Sequence, residues 1–126
     1  MSWTTPPTGM ARQNRSKANQ WLRATALQAL VGVDERSPVD KGAFRGNNHV
    51  SVAEPDDSFD EDRLDPSGAS TISEGQQVIL RVTGPFEVIY IQNNLPYAVP
   101  LEEGSSDQAP QGVFQVTFDS LNEAGR

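Results

Sequence analysis

The side chains able to do acid–base chemistry are few and badly placed for it. Asp40, His49, Glu102 and Glu103 are the candidates. Asp40 and His49 could pair, but nothing supplies the third member of a nucleophilic triad. Glu102 and Glu103 are adjacent, so in a helix their carboxylates diverge and cannot work as a close pair. There is no cysteine, and so no thiolate nucleophile, disulfide framework or thiolate metal site. A single histidine cannot build a histidine cluster for zinc. No glycine-rich phosphate loop or nucleophile elbow is present. The remaining candidate is oxygen ligation of calcium by Asp56, Asp57, Asp60 and Asp62. Their spacing fails the EF-hand loop, which needs a glycine at its turn and a closing glutamate. The pattern predicts no catalytic residue, no metal and no cofactor, with His49 a half-buried histidine at the edge of a strand.

The elements that must position these residues follow from hydrophobic spacing. Leu22, Ala26, Ala29/Leu30 and Val33 recur on one helical face, predicting a helix from about Ala11 to Val33. Pro38 requires it to stop nearby, because the residue before proline disfavours helical torsions. Residues 37–48 read as an ordered turn, and His49–Ala53 as a short strand. Thr71-Ile72-Ser73-Glu74 is a capping-box sequence, and Ile72, Ile79 and Val82 fit one helical face. The β-branched run 78–82 also suits a strand, so both readings stand, with helix favoured. Phe86–Ile91, bounded by Gly84-Pro85 and Asn93-Asn94, predicts a strand with apolar residues on both faces, hence one inside a sheet.

After it, Asn93 and Asn94 suit a sharp exit, Pro96 the first turn of a short helix, and Gly104 its C-terminal cap. Pro100 limits that helix to a turn or so. Residues 105–112 read as a loop. Residues 113–121 fit either helix (Phe114, Phe118, Leu121) or strand (Phe114, Val116, Phe118). Residues 122–126 read as a frayed tail, and 1–9, with Trp3, as a flexible arm. A helix with one apolar stripe needs covering. The expected fold is therefore α+β, with the long N-terminal helix packed on a small mixed sheet and one or two short additional helices.

The 126 residues fit a single domain, 1–126. The net charge of −7 hides an asymmetry: residues 1–48 carry seven basic and three acidic groups (+4), and residues 49–126 three basic and fourteen acidic (−11). Seven of those acids fall in residues 54–65, beside one arginine. Dense like charge with few apolar residues predicts a mobile, solvated loop. Unlike ends suit head-to-tail docking as readily as two solvated faces. No apolar run approaches the length of a membrane helix, and no secretory signal is visible in Met1–Met10.

Four short motifs then fall in order: Pro38-Val39-Asp40-x-Gly42, Tyr90-Ile91-x-Asn93-Asn94-Leu95-Pro96-Tyr97-Ala98, Leu101-Glu102-x-Gly104, and Gln108-Ala109-Pro110-x-Gly112. Together they resemble the minor tail components of long-tailed bacteriophages, also called tail-completion or head-to-tail joining proteins. The resemblance spans most of the chain. Lys41 stands where the family usually has threonine, Asn47 and Asn48 where an aromatic commonly follows Arg-Gly, and Glu103 where an aromatic is common. The acidic stretch reads as an insertion.

The resemblance implies a non-enzymatic virion protein at the head–tail junction, assembled in the host cytoplasm. It implies a ring of subunits, with six copies the natural number for a sixfold tail tube, meeting through unlike surfaces. Its implied partners are other copies of itself and the connector, head-closure, tail-terminator or tail-tube proteins. Genomic DNA would pass through the ring without specific binding. The candidate interface residues are Pro38, Asp40, Gly42, Asn93, Asn94, Pro96, Tyr97, Leu101, Glu102, Gly104, Gln108 and Pro110. Head closure or tail termination is the alternative within the same neck. An acidic DNA mimic that blocks a nucleic-acid-binding protein is the alternative outside it.

Overall fold

A computed structural model of the chain describes residues 7–83, 87–104, 106–109 and 111–124. Seven elements follow in order: α1 (Pro7–Arg36), α2 (Ala43–Gly46), β1 (His49–Val52), α3 (Ala69–Leu80), β2 (Ile89–Gln92), α4 (Ala98–Glu102) and α5 (Phe114–Ala124). The architecture is the expected α+β arrangement, with α1 as its spine. Of the expected arm 1–9, residues 1–6 lie outside the described residues, as do the Gly84-Pro85-Phe86 boundary, Pro110 and the last two residues; residues 7–9 are instead part of α1, which begins before the predicted Ala11.

The apolar stripe of α1 does what its spacing requires. Leu30 and Val33 are fully buried, and Ala26 and Ala29 nearly so. They serve two separate clusters. Ala26 and Leu30 meet Val50 of β1 and Ile79 of α3, with Ile89 and Ile91 of β2 packed alongside. Val33 meets Phe44, Leu95, Ala109 and Val113 nearer the end of α1. The helix runs three residues past Val33, closing with Ser37, whose N–H donates to the Asp34 carbonyl at 3.2 Å. Pro38 then prevents another turn.

The sheet holds two strands, antiparallel, in the register His49↔Gln92, Val50↔Ile91, Ser51↔Tyr90 and Val52↔Ile89. The expectation that 86–91 forms an inner strand is therefore corrected. Among the described residues β2 pairs only with β1. Its apolar character is explained by the helices: Ile89 and Ile91 lie against the α1–α3 cluster, and a helical cover asks for the same residues as a neighbouring strand.

The two ambiguous segments both resolve as helices. In α3, Thr71, Gly75 and Ile79 form the buried face. Gly75 is what lets α3 approach α1: a Cβ there would stand 2.3 Å from Leu30 Cδ2. The helix begins two residues before the predicted Thr71, with Gly68 (φ 78°) as its cap residue. At α5 the buried residues are Thr117 and, just before the helix, Val113, rather than Phe114 and Phe118. Thr117 Oγ1 donates to the Val113 carbonyl at 2.7 Å. The helix continues through Asn122 to Ala124, where the pattern predicted a frayed tail. The turn at 37–48 contains one helical turn, α2.

Candidate interaction surface

Most of the motif residues act as joints within the chain. Gly42 takes a left-handed conformation, φ 93°, and its carbonyl accepts from both Gly46 N–H (2.9 Å) and Asp65 N–H (3.0 Å). A Cβ at Gly42 would stand 2.5 Å from the nitrogen of Pro66, so only glycine fits this crossing. Asn93 donates from Nδ2 to the Phe44 carbonyl at 2.7 Å and to Asn48 Oδ1 at 3.0 Å. Asn48 in turn donates to Ser37 Oγ at 2.8 Å, and Ser37 donates to the Val33 carbonyl at 2.7 Å. This polar chain stitches the end of α1 to the exit of β2 through buried Ser37 and Asn48. Each member is satisfied, as burial demands.

Glu102, one of the acid–base candidates, is spent on structure. Its Oε2 accepts from Val113 N–H (2.8 Å) and Phe114 N–H (2.9 Å), and its Oε1 from Gln115 N–H (2.9 Å). It therefore caps α5 from another helix, satisfying donors that the first turn leaves open and placing negative charge at the positive end of the helix dipole. His49 is likewise engaged. Its Nε2 lies 2.6 Å from the Asp56 carbonyl and 3.4 Å from Asn94 Nδ2. No hydrogen bond joins it to Asp40 among the described residues. Asp40 is exposed, and the pairing considered from sequence is not formed.

The acidic segment 54–65 has no helix or strand, but it is fastened to the body at several points. Asn94 Nδ2 donates to the carbonyls of Asp56 (2.8 Å) and Ser58 (3.1 Å). Asn47 grips Asp60 twice, donating to its carbonyl at 2.7 Å and accepting its N–H at 2.8 Å. Gln92 Oε1 accepts Asp56 N–H at 2.9 Å. Asp56 holds its own carboxylate low in pKa through bonds from the Ser58 hydroxyl and N–H. At the far end Asp65 is buried. Burial opposes its charge, yet bonds from the Thr71 hydroxyl (2.7 Å) and N–H (2.8 Å) outweigh it, and its pKa is lowered. Asp65 is thus the anchor for α3 that the capping-box reading assigned to Thr71. Among the described residues no three His, Cys, Asp or Glu gather as a metal site.

Motif residues from three parts of the chain line one cleft. A cleft of about 410 Å³ is lined by Pro38, Asp40, Gly42, Tyr97, Leu101 and Gln108, together with Phe44 and Leu64. Gln108 clamps its wall: the side-chain amide accepts Val39 N–H at 2.8 Å and donates to the Val39 carbonyl at 3.0 Å. This pairing ties residues 69 positions apart in the chain. Tyr97 stacks on buried Phe44 with ring centroids 6.3 Å apart and keeps 39% of its surface exposed. Leu64 is 53% exposed beside it. Asp40, Lys41 and Glu61 form the rim. The Tyr97 phenol is pushed up in pKa by burial and by the fields of Glu61 and Asp40.

Pro96 is exposed in the turn leading into α4, and Gly104 closes α4 with φ 95°, its N–H donating to the Leu101 carbonyl at 3.1 Å. Sequence reasoning missed a second apolar surface. Trp21 of α1 is 68% exposed and Phe118 of α5 44%. Both line a groove of about 620 Å³ whose floor includes Ala26, Ile89 and Ile91. Trp21 sits off the stripe that drew attention to α1, and the available signal was a large aromatic out of register with that stripe. Comparison of the chain with protein-family models, curated proteins and solved structures finds no match to any of the three. Among the described residues no helix is long and apolar enough to cross a membrane.

Proposed function

We propose that the chain is a structural virion protein of a long-tailed phage that works by contact at the head–tail junction, as a ring-forming tail-completion or head-to-tail joining subunit. The observation that carries this reading is the convergence of motifs far apart in sequence on one cleft with an apolar floor. Residues 38–42, Tyr97, Leu101 and Gln108 build that cleft. The polar members of the same motifs are consumed in holding its walls: Gln108 on Val39, Asn93 on Phe44, Glu102 on α5. Such an arrangement fixes the shape of a surface. It leaves His49 and Glu102, two of the four acid–base candidates, bonded to backbone groups.

Copies would meet through unlike surfaces, the rotation closing into a ring, with connector, terminator or tube proteins above and below. The experiment is immunogold electron microscopy of purified phage particles carrying the gene, paired with deletion of that gene. Label confined to the head–tail junction, and accumulation of unjoined heads and tails on deletion, are the expected results. Label elsewhere, or normal particles without the protein, refutes the reading.

A further inference from the structure

We propose that the exposed Trp21 face of α1 on one copy docks in the acid-rimmed Tyr97–Leu64 cleft of a second copy of this chain. The inference rests on the ring reading and names the surfaces that would meet in it. Three observations lead to it. First, the cleft pairs apolar surface with acid. Tyr97 and Leu64 are exposed within it, and its rim carries Asp40 and Glu61 against the single cation Lys41. It suits an aromatic or aliphatic side chain that arrives with a positive charge beside it, where ring stacking and cation–π contact add to area burial.

Second, the chain has few places from which to supply that charge. Arg23, Arg36, Arg45 and Arg63 each donate to groups of their own chain, and the exposed Arg81 stands alone in the sequence between Arg63 and Arg126. The densest run of cations is Arg12, Arg15 and Lys17, and residues 1–33 contain no acid at all. With a net charge of −7, two copies repel unless a segment of this kind meets an acidic surface.

Third, the same segment carries the most exposed large apolar side chain among the described residues. Trp21 lies one helical turn after the exposed Lys17, on the same face of α1. The knob and the cleft belong to separate regions. Trp21 precedes the end of α1 at Arg36 by 15 residues, which is roughly 22 Å of helix, and the lining of the cleft starts at Pro38, after that end. One copy therefore presents both halves of the contact at once, as a chain of subunits requires.

The test is sedimentation velocity on the full chain, with circular dichroism to confirm that each variant folds. Wild type should associate in a concentration-dependent way, more weakly as salt rises from about 0.05 to 0.5 M. Trp21→Ser, Lys17→Glu and Glu61→Lys should each weaken association about tenfold or more, and the double variant Lys17→Glu/Glu61→Lys should recover most of the loss. A chain that stays monomeric up to about 1 mM overturns the inference. So does association that the folded single variants leave unchanged, although ring formation through another surface would then survive. Association sensitive to the variants but ending at dimers keeps the docking and removes the ring. The virion role stands or falls separately, on the gene deletion.

Discussion

Replacing Asp34 with asparagine should change how stability depends on pH, by an amount the structure sets. Asp34 lies near the end of α1 with 2% of its surface exposed, and its Oδ1 has no hydrogen-bond partner. Gly68, the cap residue of α3, presses on the carboxylate so closely that a Cβ there would fall 1.7 Å from Asp34 Oδ2. Burial drives the pKa up from 3.8 to about 6, even though the Arg45 charge pulls it down. A raised carboxyl pKa means the folded state holds the proton more tightly than the unfolded state. Asp34 therefore costs nothing electrostatically below about pH 4, and its burden grows as pH rises to about 6 and then levels off. The difference of roughly two pKa units corresponds to about 3 kcal/mol. Asparagine keeps the shape and never ionises.

Urea denaturation of both proteins from pH 4 to pH 7.5 reads this group together with its coupling to the Asp65 charge, which helps to raise the Asp34 pKa. The stability of Asp34→Asn relative to wild type should rise by about 3 kcal/mol across that range, most of it between pH 4 and 6. A difference that stays flat refutes the account of Asp34 as a buried, under-partnered carboxylate. A difference that falls with pH would mean that Arg45 outweighs desolvation.

Glu102→Ala removes three acceptors from the first turn of α5 and should cost about 2 kcal/mol in urea denaturation. Loss of under 0.5 kcal/mol would show that water replaces the cap at little expense. Asn93→Ala leaves the Phe44 carbonyl and Asn48 Oδ1 short of a donor and should destabilise by about 1–3 kcal/mol; a neutral result would break the proposed chain of polar contacts. Gln108→Ala, at an exposed site, should cost only about 1 kcal/mol but release the Val39 amide to hydrogen exchange. Unchanged protection at Val39 would deny the clamp.

How much of this was legible in the sequence depended on how local the determining contact was. The face of α1 was readable because Ala26, Ala29, Leu30 and Val33 repeat at helical spacing and meet a core that accepts that stripe. The α5 segment was not, because the contact that selects helix over strand is Glu102, eleven or more residues upstream. The apolar residues that seemed to define its face, Phe114 and Phe118, proved half-buried and exposed, while Thr117 took the buried place by bonding its hydroxyl within the helix. Glycine ordinarily weakens a helix, yet Gly75 is what lets α3 come close to Leu30. The motif residues were legible as a set, but their division into joints and outward-facing groups was not. That division depends on which chain segment lies opposite, as Val39 lies opposite Gln108.

The way the acidic segment is fastened has a consequence for how such a protein can vary. Asn47, Asn94, Gln92 and His49 hold it largely through the backbone atoms of Asp56, Ser58 and Asp60. Its carboxylates take part only in bonds that an amide oxygen could accept, such as Ser58 to Asp56 and Asp62 to Asp60. Between Asp56 and Asp62 the path of the loop is thus set independently of its charge, and the buried Asp65, ionised against Thr71, is the exception. Sequence drift can rewrite the electrostatic pattern on this side of the molecule, acid to amide or amide to acid, without refolding the body that carries it.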